Sequence, residues 1–309
     1  MVGEEKTPIP FPPLQIHSIK TGFLVLGMDG EMQCYNESFV STTDVMTPFP
    51  CKITHSTVVD MQFIGTWLDY DVLIGRMAAI QLDQPLIQGP TKSEVRRAAS
   101  NQTEPPHPAG HIWSRALNAD VTGLVASDDG VIFSLWKRGV YKLDLDANEA
   151  WRAPLPRWVE LNSIPGGDEI LTLHDNEQTV LVVSKGAGFV NLSKEDGMIE
   201  SQGILSQNIS LQDHFFQDGQ HLLVTTNHEI VWINNEDVHD TVQLSGPVQS
   251  ALYDNESGQW YIAGWREVLI IGKAGHTVTQ LDEVCNDIIM IESEVHVVTN
   301  NGQLVAINQ

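Results

Sequence analysis

Three stretches share one plan: LVTTNHEIVWI (Leu223–Ile233), YIAGWREVLII (Tyr261–Ile271) and VVTNNGQLVAI (Val297–Ile307). Each is an apolar strand, a short polar turn and a second apolar strand. Working outward, Leu24–Tyr35, Val72–Leu82, Ile132–Leu143 and Leu181–Leu192 follow the same plan. The seven copies begin at 24, 72, 132, 181, 223, 261 and 297, with spacings of 48, 60, 49, 42, 38 and 36 residues. A strand hairpin recurring at roughly 40–45 residues marks a β-propeller blade. The pattern predicts an all-β, seven-bladed β-propeller of four-stranded antiparallel blades, a single domain over 1–309. Six blades is the alternative count, because the second and third units diverge most.

Within each unit the apolar hairpin supplies the two middle strands. These read as nearly continuous apolar runs, such as Leu222–Val224 with Ile230–Ile233, because both faces pack against neighbouring blades. Asp29-Gly30, Asn227-His228 and Asn301-Gly302 are read as two-residue turns, since such pairs tolerate positive φ. The last unit stops after its third strand. Gly3–Phe11, within the segment 1–13, is therefore expected to supply the outer strand of the last blade and close the ring, leaving no free edge. The spacing of 60 reflects an insertion at Pro85–Ala119. It is expected to hold a helix over Ser93–Ser100 capped by Thr91 or Ser93, a proline-rich loop, and an outer strand at His111–Leu117.

The 309 residues carry a net charge of −23, unevenly placed. Residues 158–309 have 4 Lys and Arg against 22 Asp and Glu, net −18; residues 1–157 are net −5. Such a field disfavours nucleic acid and anionic membranes and favours basic protein partners. No apolar run approaches the roughly 18 residues that span a bilayer. The opening MVGEEKTPIPFPP has no apolar core of a signal peptide. Cys34, Cys51 and Cys285 form neither a disulfide framework nor a metal-ligand spacing. Together these readings predict a cytoplasmic protein.

Three groups of residues are candidates for function. The first is an acidic ring. Val58-Val59-Asp60, Leu211-Gln212-Asp213, Val248-Gln249-Ser250 and Cys285-Asn286-Asp287 align as inner strands, and Ile16-His17-Ser18 and Val121-Thr122-Gly123 fit the same slot. Asp60, Asp213 and Asp287, with Ser18 and Ser250, would then converge in the channel, where carboxylates suit Ca²⁺ or metal-assisted hydrolysis. The competing reading is a water-filled channel or bonds to backbone, with no cofactor. The second candidate is His107 and His111 in HPAGH, whose prolines exclude the helix that would make this spacing a zinc site. His214, His221 and His228 read as solvated or turn residues.

The third candidate is a basic segment. Arg76, Lys92, Arg96, Arg97, Arg115, Lys137, Arg138, Lys142, Arg152 and Arg157 are interleaved with Trp113, Trp136, Trp151 and Trp158. Within it, Lys92, Arg96, Arg97, His107, His111, Trp113 and Arg115 form the expected partner-binding surface. The competing reading is charge balance, with tryptophans wedged between blades. No P-loop, nucleophile elbow, dinucleotide fingerprint or HExxH occurs.

The hairpin units resemble the repeats of WD40-like and PQQ-like propeller proteins, and VHVVTNNGQLVAIN (residues 295–308) is most similar to a PQQ-type repeat. No unit pairs a Gly-His opening with a closing Trp-Asp, and the tryptophan-docking motif of PQQ repeats is not carried. The resemblance implies the fold and a habit of binding proteins or ligands. The expected function is a non-catalytic, monomeric protein-interaction scaffold. A metal-dependent hydrolase or lyase in the channel and a ligand-sensing propeller are the alternatives.

Overall fold

A computed structural model describes residues 6–71, 74–234 and 237–307. Seven antiparallel sheets follow one another along the chain. The first is β1 (Pro13–Ile19), β2 (Gly22–Gly27) and β3 (Met32–Tyr35). The second is β4 (Ile53–Val59), β5 (Gln62–Asp69), β6 (Ile74–Gln81) and, after helix α1 (Lys92–Ser100), β7 (His111–Ala116). The third is β8 (Val121–Ser127), β9 (Gly130–Leu135), β10 (Gly139–Asp144) and β11 (Glu149–Ala153). The fourth is β12 (Ile170–Asn176), β13 (Thr179–Ser184), β14 (Gly188–Ser193) and β15 (Ile199–Ile204). The fifth is β16 (Leu211–Gln217), β17 (Gln220–Thr225), β18 (Glu229–Asn234) and β19 (Asp237–Gln243). The sixth is β20 (Ser250–Asp254), β21 (Gln259–Ala263), β22 (Glu267–Gly272) and β23 (Gly275–Gln280). The seventh is β24 (Cys285–Ile291), β25 (Glu294–Thr299) and β26 (Leu304–Ala306).

The chain divides into two compact units. One comprises Met1–Asn118 with Glu283–Gln309, and so holds the first, second and seventh sheets. Its core joins Leu24, Leu26, Phe49, Phe63 and Trp67, and Val95 of α1 seals it. The other, Ala119–Asp282, holds the third to sixth sheets. There Trp151, Trp158, Leu173 and Val182 bridge the third and fourth sheets, and Trp232, Tyr253 and Trp260 the fifth and sixth. Fully burying each large apolar side chain contributes about 1.5–3 kcal/mol.

Most middle strands are largely buried, as their composition predicts: β2, β9 and β13 are buried at every residue, whereas β26 of the seventh sheet is half-buried and ends on exposed Ala306. The turns between them differ from expectation. At the three dipeptides read as two-residue turns they are three-residue loops with positive φ only at the third position: Gly30 (φ 92°), His228 (φ 62°) and Gly302 (φ 79°). The amides of His228 and Gly302 close type I turns on the carbonyls of Thr225 and Thr299. A hydroxyl ending the second strand completes the loop in three blades: Ser184, Thr225 and Thr299 accept from the amides of Gly188, Glu229 and Gln303.

Between β6 and β8 the chain forms helix α1 over Lys92–Ser100 and returns as β7 over His111–Ala116. Thr91 and Glu94 form a reciprocal capping box at the start of α1. β7 is the outer strand of the second sheet. The second unit itself was misread. Val72–Leu82 is no hairpin: Ile74–Gln81 is one strand, β6, and Val72 and Leu73 lie outside the described residues. The true middle hairpin is β5–β6. Its strands are eight residues each, longer than in the other units, and this displaced the alignment by one strand.

The expected closing strand is also not formed among the described residues. The seventh sheet has three strands, and Gly3–Glu5 lies outside the description. Ile9 donates its amide to the Gly302 carbonyl, 3.0 Å, and its side chain packs with Ile289 and Val298. Gly302 is obligatory there, because a Cβ would lie 2.1 Å from the Ile9 carbonyl oxygen. The seventh and first sheets are instead stapled through their inner strands. Asp287 accepts from the Ile16 amide, 2.7 Å, and Asn286 donates to the Pro13 carbonyl, 2.7 Å.

Candidate functional site

Every inner strand starts with the same irregularity. Two residues face one on the partner strand at Pro13/Gln15, Ile53/His55, Val121/Gly123, Ile170/Thr172, Leu211/Asp213 and Cys285/Asp287. In the sixth sheet Gln249 and Ser250 both address Ala263. A bulge of this kind re-aims the side chain after it. The equivalent positions are therefore Gln15, His55, Gly123, Thr172, Asp213, Ser250 and Asp287.

This corrects the acidic ring. Asp60 is not part of it: it lies at the far end of β4, in a turn with φ 43°, 68% exposed and paired with Lys20. Ser18 is likewise at the wrong end of β1 and exposed. Asp213, Ser250 and Asp287 do occupy equivalent slots. Both oxygens of Asp287 accept backbone amides, from Ile16 and Ile288. Asp213 accepts the His214 amide, and burial pushes its carboxyl up to about 6. Among the described residues no three His, Cys, Asp or Glu side chains are arranged to hold a metal ion.

The insertion presents the basic residues outward. Lys92, Arg96, Arg97, His111 and Arg115 are exposed on α1 and β7, beside exposed Ile87 and Ile112, while His107 and Trp113 are half-buried. Arg76 on β6 anchors the loop from beneath. It is 3% exposed and donates to the Pro105 carbonyl, Ser114 Oγ and His107 Nδ1. The rings of His107 and His111 stack at 5.0 Å. The remaining tryptophans separate. Trp151 and Trp158 are buried and donate to the carbonyls of Lys194 and Phe189, which makes them wedges; Trp136 is half exposed under Lys137.

Charge is sorted by turn position in Ala119–Asp282. Exposed Asp128, Asp129, Asp146, Glu177, Glu195, Asp196, Asp218 and Glu256 all sit in turns between first and second, or third and fourth, strands, and exposed Asp175 lies at the end of β12 beside one of them. Two lysines meet these carboxylates from buried positions, Lys142 on β10 and Lys194 just after β14. Lys142 meets Asp129 at 2.7 Å, and Lys194 pairs with Asp175.

The largest departure from the sequence reading is at the histidines. His214, read as solvated, is 1% exposed. Its Nδ1 lies 2.9 Å from Nε2 of His174 on β12, and its Nε2 lies 3.1 Å from Nδ1 of His221 on β17. Burial holds all three rings neutral, lowering His174 to about 3, His221 to about 4 and His214 well below its usual value. Two nitrogens of one central ring point to two different neighbours, so the three form a proton-sharing chain rather than a chelate. His221 opens on a cavity of about 650 Å³ between the fourth and fifth sheets, walled by Leu181, Phe189, Ile204, Phe216 and Ile233 with Asn176 and Asn191. No local spacing could reveal it: His174 lies 40 residues from His214, and a register of adjacent inner strands brings them together.

No family model matches the chain, and no curated protein matches it either. Solved structures do. BamB from Moraxella catarrhalis superimposes with a TM-score of 0.64 at 10% identity, over 99% of this chain and 96% of that one. The β-propeller domain of Cps50 (Swd1) from Myceliophteria thermophila gives 0.66 at 9% identity, over 96% and 95%. These likenesses correct the expected cytoplasmic location, since they point away from that compartment. Identity this low speaks to fold, and fold alone does not select an activity. The chain is a seven-bladed β-propeller, similar in architecture to the WD40-like and PQQ-like propeller proteins.

Proposed function

We propose that this propeller is a non-catalytic, monomeric scaffold for protein partners, gripped at the insertion of its second blade. The observation that carries the reading is the build of that insertion. A buried guanidinium, Arg76, fixes the loop, while Lys92, Arg96, Arg97, His111 and Arg115 project beside exposed Ile87 and Ile112. Apolar anchors rimmed by cations on a rigid support are the composition of a partner-binding patch. His107 and Trp113 shape it from below. The acidic turns of Ala119–Asp282 form a second surface, suited to a basic partner through long-range attraction.

The test is quantitative cross-linking capture with wild type, K92E/R96E/R97E/I112D, and a variant neutralising Asp128, Asp146, Glu195 and Glu256. Each variant should lose a different partner while keeping its melting temperature and its monomeric mass. Identical capture by all three proteins overturns the reading.

A further inference from the structure

From the cavity beside His221 we infer a binding site for uncharged small molecules that carry an apolar ring or chain and one hydrogen-bonding carbonyl or hydroxyl. Its volume of about 650 Å³ falls within the roughly 300–1,000 Å³ usual for small-molecule sites. Leu181, Phe189, Ile204, Leu205, Phe216 and Ile233 make an apolar and aromatic wall, and Asn176, Asn191, Ser206, Gln207 and His221 face it with polar groups. Among the described residues no Asp, Glu, Lys or Arg lines it, so none of them offers a carboxylate or an ammonium a counter-charge. In a half of the chain with net charge −18, an anion meets a repelling field as well.

Three of the polar groups are already oriented. Asn176 donates to Asn191, 3.2 Å, and Asn191 donates to Ser201. His221 is held by its ring contact with Phe216, 4.9 Å, and by His214 at Nδ1. The nitrogen left for a ligand is therefore Nε2.

The chain behind it gives this nitrogen an unusual property. Each neutral ring carries one proton, and each of the two contacts needs one. If His174 Nε2 donates to His214, then His214 donates to His221, and His221 presents Nε2–H to the cavity. If all protons lie the other way, His221 Nε2 is a bare acceptor and His174 carries its proton on Nδ1. A ligand carbonyl selects the first arrangement and a ligand hydroxyl donor the second. One bound group thus sets the tautomers of three rings, as far as the inner strand of the fourth blade.

Saturation-transfer and histidine ¹⁵N NMR on the full chain would test this with acetophenone and benzamide as neutral probes, against benzoate and benzylamine. The cavity-filling variant I204W serves as control, with its melting temperature measured in parallel. The neutral probes are expected to bind at millimolar concentration, to fix the Nε2–H form of His221 and to move the His174 resonances. Binding by the charged probes and by I204W should be at least about tenfold weaker, a difference of ~1.4 kcal/mol. Neutral probes that fail to bind, or that bind I204W equally, overturn the site. Equal binding of the charged probes overturns its ligand class, and an unmoved His174 overturns the relay.

Discussion

Asp213 and Asp287 hold the same place in two blades, after the bulge of the inner strand, and are used in opposite ways. Asp287 joins two strands: one oxygen takes the Ile16 amide of the first sheet and the other takes its own neighbour, Ile288. Its charge is answered by donors. Among the described residues Asp213 takes one amide, that of His214, beside a histidine chain that burial keeps neutral, and its carboxyl holds its proton up to about pH 6. The repeat supplies a position and an orientation. Whether a carboxylate there stabilises or strains the fold depends on the neighbouring strand. An aligned acidic ring is therefore no evidence of a metal site.

The histidines give the largest measurable contrast. His17 and His55, like His221, are lowered to about 4, and His174 to about 3. The unfolded chain charges them near 6.5, so folding releases protons below that pH. Their contribution is complete above about pH 6.5 and declines as pH falls toward 4. Denaturant melts at pH 7.5 and 5.0 should differ by on the order of 5 kcal/mol. H214F should flatten this slope, and an unchanged slope would remove the chain from the acid response.

Next comes the aspartate at the staple. D287A leaves the Ile16 amide without its charged acceptor and should cost about 2–3 kcal/mol at neutral pH, read as a lower denaturant midpoint. D287N, which places an NH₂ against one of two amides, should cost about half that.

The sharpest test uses the same substitution at the equivalent site. Folded Asp213 keeps its proton to about pH 6, while the unfolded chain releases it near 3.9, so stability falls as pH rises through that window. D213N preserves the acceptor for the His214 amide and removes the penalty. It should stabilise by about 1–2 kcal/mol at pH 7.5 and by nothing at pH 4. If D213N and D287N shift stability in the same direction, the contrast between the two blades is wrong.

The sequence by itself determined the architecture. Six of the seven hairpins, the capped helix at Lys92–Ser100 and the strand at His111–Ala116 rest on local signals: apolar runs, turn residues and a Thr-x-x-Glu cap. It failed where strand length varied. The eight-residue β5 and β6 moved the reading by one strand and carried Asp60 into a ring to which it does not belong. Exposure of the insertion's cations was also legible, because Lys and Arg are rarely buried without a partner. Only the tertiary structure decided the rest. Bulges aim side chains, adjacent inner strands set register, and burial fixes charge. His174, His214 and His221 became one chain through strand packing across 40 residues, a distance at which sequence spacing carries no geometry.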